Sequence, residues 1–194
     1  MRAIFLDKDG TLVDDVPYNV DPALLVLARN AGAALRLLRS LGYRLYVVSN
    51  QSGVARGRFD EAALGPLFAR LEAMLADEGV TLDGVFWCPH HPAGVVAPYA
   101  ADCTCRKPRP GMLQRAAELH GVELQASWMV GDILDDIEAG RRAGCRTALI
   151  DNGNETEWLL SPQRMPHLCA PDLLAAARGI RQHDALRDAG REPR

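Results

Sequence analysis

The chain has 194 residues, 48% hydrophobic and 24% charged, with a formal net charge of −3. That mild acidity argues against a nucleic-acid binder, which carries a basic surplus over its whole domain, and no apolar run reaches the ~18 residues of a membrane span. A chain of this size buries about 70% of the surface its unfolded form exposes, so one domain is expected over residues 1–180, with a frayed tail over 181–194.

Ala3-Ile4-Phe5-Leu6 is a short apolar run that reads as a fully buried strand of a parallel sheet. It begins so close to Met1 that no signal peptide fits before it, and a cytoplasmic location is expected. The strand ends in Asp7-Lys8-Asp9-Gly10-Thr11. Two carboxylates at the carboxyl end of such a strand face the crevice where open α/β sheets bind ligands. Their repulsion is relieved by a divalent cation, so an oxygen-ligand site for Mg²⁺ is expected, with Thr11 fixing a carboxylate. A plain acidic turn is the competing reading.

Residues 13–22 form a polar loop near the carboxylates, where Asp15, Tyr18 or Asn19 could touch a substrate. Helical spacing predicts a helix over 23–41, ended by Gly42. Residues 44–49 form a second strand, and Ser49-Asn50-Gln51-Ser52-Gly53 follows it as a loop of neutral donors suited to phosphate oxygens. A glycine-containing connector over 54–59 reads as a flap. Asp60 opens a helix running to about Glu78, with Pro66 kinking it or marking an irregular first turn. Strands follow at 85–87, 128–130 and 147–150, and helices at 112–120, 133–143 and 171–180. Strands alternating with helices indicate an α/β fold, a doubly wound parallel sheet with helices on both faces.

Of five cysteines, three lie close together: Cys88-Pro89-His90 and Cys103-Thr104-Cys105 are separated by twelve residues, 91–102. Three thiolates and one imidazole make a closed tetrahedral set selective for Zn²⁺, and would order a stretch, 88–111, that has little apolar content of its own. His91 could compete with His90. Cys145 and Cys169 are expected to be buried thiols. Arg106-Lys107-Pro108 leaves the cluster directly and could aim a fixed positive charge at the carboxylate crevice.

Asp7-Lys8-Asp9-Gly10-Thr11, Ser49, Lys107 and Gly131-Asp132 with Asp136 resemble the four ordered motifs of the haloacid dehalogenase (HAD) superfamily of phosphatases, over residues 1 to about 150. The cysteine-rich loop resembles the zinc-loop branch of that superfamily, which lacks a large cap domain. This implies a Mg²⁺-dependent phosphomonoesterase with Asp7 as nucleophile and Asp9 as acid and base. Asp7, Asp9 (through its carbonyl) and Asp132 would bind Mg²⁺, with Asp136 in support. Thr11, Asp15, Tyr18, Ser49, Asn50, Gln51, Ser52, Arg106 and Lys107 would face the substrate. The interval between His90 and Cys103 resembles the type that acts on D-glycero-D-manno-heptose 1,7-bisphosphate more than the histidinol-phosphate type. Lys8 stands where arginine is common, and Ile133 where lysine is common. A small phosphorylated sugar is the expected partner, with no nucleic acid or membrane, and a monomer is expected. The rival from another class is a phospho-acceptor signalling domain, against which the acid pair on the first strand argues.

Overall fold

The computed structural model describes residues 1–190. Six strands, β1 (Ala3–Leu6), β2 (Arg44–Asn50), β3 (Gly84–Cys88), β4 (Trp128–Gly131), β5 (Arg146–Ile150) and β6 (Leu168–Ala170), make one sheet. Every pairing is parallel and the order is β3-β2-β1-β4-β5-β6. All four residues of β1 are fully buried because β1 lies at the centre of the sheet and both its faces are covered. Side chains alternate along a strand. Ile4 and Leu6 accordingly join a core with α1 (Ala31–Ser40), α2 (Leu64–Asp77) and α5 (Leu173–Asp188). Ala3 and Phe5 join the opposite core, with Met112, Leu113 and Ala116 of α3 (Gly111–His120). Beside α3 packs α4 (Leu134–Ala143).

From β1 the chain builds outward through β2 and β3, then crosses back to lay β4 on the other side of β1. The strand order reverses between β1 and β4, and that switch point opens a crevice at their carboxyl ends. Among the described residues, no helix is long and apolar enough to cross a membrane.

The elements depart from the sequence reading at four places. The helix expected from residue 23 begins only at Ala31: Pro22–Leu24 is a 3-10 turn and Asn30 stands at a left-handed φ of 64°. Leu24, which fits the helical spacing of apolar residues in that stretch, is exposed. The second helix is preceded by a 3-10 turn at Glu61–Ala63, and Pro66 lies in its first turn, where no intrahelical N–H bond is lost. β6, three residues long, was not anticipated; it is an edge strand, which leaves Cys169 exposed instead of buried. Finally, the expected frayed tail is helical as far as Asp188. Buried Asp184 anchors it, accepting from the Tyr43 hydroxyl at 2.9 Å and from Arg2 Nη1 at 3.0 Å. Residues 191–194 lie outside the described residues.

Candidate active site

β1 delivers Asp7 to the crevice, and β4 delivers Asp132 beside it. The Asp7 N–H donates to the Val130 carbonyl at 2.9 Å, which locks the two strand ends together. Asp7, Asp132 and Asp136 are all buried, and each offers an oxygen within 4.8 Å of the others. Asp136 reaches the site from the first turn of α4, where one carboxylate oxygen accepts from the Ile133 N–H at 3.3 Å. It lies directly against the end of β4: a Cβ on Gly131 would come within 2.2 Å of Asp136 Oδ2.

Lys107, 2% exposed, is the cation of the cluster. Its ammonium pairs with Asp136 Oδ1 at 2.6 Å and contacts Asp7 Oδ1. Burial alone would lower its pKa, but Asp136 and Asp7 together hold it above the ordinary lysine value. Its position follows from the loop before it. Asn50, at the end of β2, donates to the Lys107 carbonyl and accepts from its N–H, both at 3.1 Å.

The acids carry more charge than one lysine neutralises. Burial and then the Asp7 charge push the Asp132 carboxyl up to about 7, with an Asn154 hydrogen bond partly opposing. Asp9 is also raised, by burial first and by Asp7, while Lys8 pulls it back. Lys8 is itself buried, with its ammonium against Asp9 Oδ1. Hard, buried, mutually repelling oxygens of this kind fit a divalent cation such as Mg²⁺. Asp7, Asp132 and Asp136 together could hold such an ion, with the Lys107 ammonium against both Asp7 and Asp136.

Around the acids, Thr11 Oγ1 donates to Asp132 Oδ1 at 3.4 Å, so its side chain is directed at a carboxylate. Gln51 is buried and its Nε2 bridges Ser49 Oγ (2.8 Å) and Asp9 Oδ2 (3.3 Å). A cavity of about 310 Å³ opens next to them, lined by Asp9, Asp15, Tyr18, Asn50, Gln51 and Ser52 among others. Arg106 stands outside this cavity's lining; its Nη1 is buried without a hydrogen-bond partner among the described residues. The expected flap is anchored at its base. Val54 and Ala55 are buried, and the Ala55 N–H donates to the Pro89 carbonyl of the cysteine-rich loop at 3.2 Å while the Ala55 carbonyl accepts from the Val95 N–H of that loop at 2.7 Å.

In that loop the four soft donors converge. The Sγ atoms of Cys88, Cys103 and Cys105 lie 3.2–3.5 Å apart, and His90 Nδ1 is 3.4 Å from Cys105 Sγ and 3.6 Å from Cys88 Sγ. A tetrahedral zinc with bonds of about 2.0–2.3 Å needs donor separations near these. His91 is turned away, its Nε2 3.0 Å from Arg56. The cluster could therefore form a zinc site, and its last ligand is two residues from Lys107.

The sequence marks the stretch after β5 as an irregular loop and assigns no site residue to it. Asn154 Nδ2 donates to Asp132 Oδ2 at 2.7 Å, Asn152 Nδ2 to the Gly10 carbonyl at 2.8 Å, and Glu155 accepts from the Leu134 N–H at 2.6 Å. A polar irregular loop has no periodicity to flag it; only the asparagine pair bracketing Gly153 offered a signal.

Acids, a hydroxyl and a lysine gathered at the switch point of a parallel sheet make an α/β site suited to holding and transferring a phosphoryl group. The comparisons with known proteins agree. Residues 104–176 match the HAD-hydrolase-like family model. The D-glycero-beta-D-manno-heptose-1,7-bisphosphate 7-phosphatase of Salmonella typhi is 40% identical over 168 residues, covering 82% of this chain and 89% of that protein. The enzyme of the same name from Yersinia pestis is 42% identical over 148 residues, 76% of this chain and 79% of its own length. Among solved structures, the D,D-heptose 1,7-bisphosphate phosphatase of B. bronchiseptica, complexed with magnesium and phosphate, superposes with a TM-score of 0.76 at 31% identity, covering 94% of this chain and 99% of that one. A Mesorhizobium loti protein assigned as an HAD-like phosphatase gives a TM-score of 0.80 at 38% identity, covering 93% and 87%. The chain belongs to the heptose-bisphosphate phosphatase family of HAD-like hydrolases.

Proposed function

We propose that the chain removes the 7-phosphate of D-glycero-D-manno-heptose 1,7-bisphosphate in the cytoplasm, through a phosphoaspartate on Asp7. The observation that carries the reading is the 40% identity over 82% of the chain to enzymes named for that reaction. The crevice supports the chemistry. Asp7 attacks phosphorus in line, its carboxylate oxygen forming the new P–O bond as the ester P–O bond breaks. Asp9, raised towards its acid form, gives the leaving alkoxide its proton. Asp9 then takes a proton from a water, whose oxygen attacks the phosphoryl group and releases phosphate with Asp7 regenerated. Lys107 holds Asp7 oriented and offsets charge on the transferring group. Ser49 and the open site beside Gln51 face the phosphoryl oxygens and the sugar, with Asp15, Tyr18 and Ser52 along the wall.

Asp7, Asp132 and the Asp9 carbonyl would hold Mg²⁺, which would supply charge neutralisation for phosphate approaching a carboxylate. Cys88, His90, Cys103 and Cys105 would hold Zn²⁺, whose role would be structural because four protein donors leave no open position.

The discriminating experiment compares kcat/KM for heptose 1,7-bisphosphate and histidinol phosphate with the Mg²⁺- and Zn²⁺-loaded protein. A preference of at least about 100-fold for the heptose is expected, which is about 2.7 kcal/mol of transition-state discrimination. A preference for histidinol phosphate overturns the substrate, and full phosphate release by Asp7→Asn overturns the nucleophile.

A further inference from the structure

The loop after β5 is stapled to the carboxylate crevice at three points. Asn152 fixes the Gly10 carbonyl at 2.8 Å, Glu155 caps the first turn of α4 through the Leu134 N–H at 2.6 Å, and between them Asn154 Nδ2 meets Asp132 Oδ2 at 2.7 Å. The loop is braced from within: the Asn154 N–H donates to Asn152 Oδ1 at 3.1 Å, and the Glu157 N–H to Glu155 Oε1 at 2.7 Å. Gly10 lets the three groups close up. A Cβ there would lie 2.0 Å from Asp132 Oδ2 and 2.4 Å from Asn154 Nδ2.

We propose that Asn154 is a positioning residue for the metal: its amide holds one oxygen of Asp132 so that the other faces Asp7. Both Asp132 oxygens are then accounted for, Oδ2 by the amide and Oδ1 by the weak Thr11 contact at 3.4 Å and the crevice. An amide suits the task because it donates without carrying charge, so it orients Asp132 without competing with the cation for it. Groups that orient metal ligands in this way typically govern about 10–100-fold in metal affinity. The inference rests on the reading of Asp132 as a Mg²⁺ ligand.

The test is calorimetric titration of Mg²⁺ alone into the zinc-loaded full chain. Asn154→Ala is expected to raise the Mg²⁺ Kd by about 10–100-fold, and excess Mg²⁺ to restore most of kcat. Asn154→Leu, which keeps the volume and removes both donors, carries the same expectation if the alanine variant does not fold. Leu159→Ser, in the same loop at a 68% exposed position, is expected to bind Mg²⁺ as the parent does. A Kd within twofold of the parent for the Asn154 variants overturns the proposal, as does an equal loss in Leu159→Ser. If the parent itself binds no Mg²⁺, or Asp132→Ala binds it as well as the parent, it is the metal reading of the crevice that fails.

Discussion

The side-chain amide of Asn50 grips the backbone of Lys107 from both sides, giving one hydrogen bond to its carbonyl and taking one from its N–H, each at 3.1 Å. The lysine lies 57 residues further along the chain, so this pair joins the end of β2 to the exit of the cysteine-rich loop. Asn50 reads as a phosphate contact in the sequence; in the fold its amide also aims the lysine, with one N–H left over and the residue lining the open cavity. Asn50→Ala is expected to lower kcat by about 10–100-fold, the cost of a misplaced charge near the reacting atoms. Its KM should change far less. Steady-state kinetics at saturating Mg²⁺ checks the split.

Gly131→Ala tests the packing of Asp136 against the strand end. The added methyl would meet Asp136 Oδ2 at 2.2 Å and its Cβ at 2.4 Å, so the carboxylate must move and Lys107 loses a partner. Activity is expected to fall at least about 100-fold. Destabilisation of about 1–3 kcal/mol from overpacking should accompany it. A denaturant melt and a phosphate-release assay on the same sample separate the two effects.

Stripping the cysteine cluster of its metal should disorder the loop while sparing the sheet. Cys105→Ser is expected to abolish stoichiometric Zn²⁺ binding and to slow turnover, because the ligand lies two residues before Lys107. Asp7, the proposed nucleophile, directly follows β1 and is expected to stay in place. Elemental analysis paired with kinetics reads the coupling. A zinc-free variant with unchanged kcat would break the link between the knot and the lysine.

The alkaline limb of stability should carry the signature of Tyr43. Burial, then Asp184, pushes its phenol up to about 12 from the ordinary value of 10.0. Between those values the folded protein keeps a proton that the unfolded chain has lost, so stability is intact below pH 10 and drains as pH rises through 12. The full effect of a shift of about two units is about 2.7 kcal/mol. Tyr43→Phe should flatten the slope of denaturant stability over that window, at a cost of about 1 kcal/mol at neutral pH for the lost hydrogen bond.

What could be read from the sequence was whatever carries a pattern. Ala3-Ile4-Phe5-Leu6 announces a two-faced buried strand because every residue is apolar, and Asp7 and Asp9 stand at its end. The cysteine spacing is equally plain, and it favoured His90 over His91. The helix expected from residue 23 failed because Leu24 and Leu27 match a helical stripe while Asn30, at a φ of 64°, breaks the chain direction between them and Ala31. β6 is too short for periodicity to register. Asn154 was invisible for a different reason. Its contact is one amide reaching one carboxylate, and the Asn152-Gly153-Asn154 run marks a turn without showing where that turn will touch down.

The pairing of Ile4 with Trp128 in the middle of the sheet has a consequence for synthesis on the ribosome. Asp7 follows a strand that has only β2 beside it until the chain has grown past residue 130 and β4 can pair. Asp132 and Asn154 follow later still. The acid crevice is thus assembled only when β4 closes the sheet, from segments more than a hundred residues apart, a long-range pairing of the kind that slows folding.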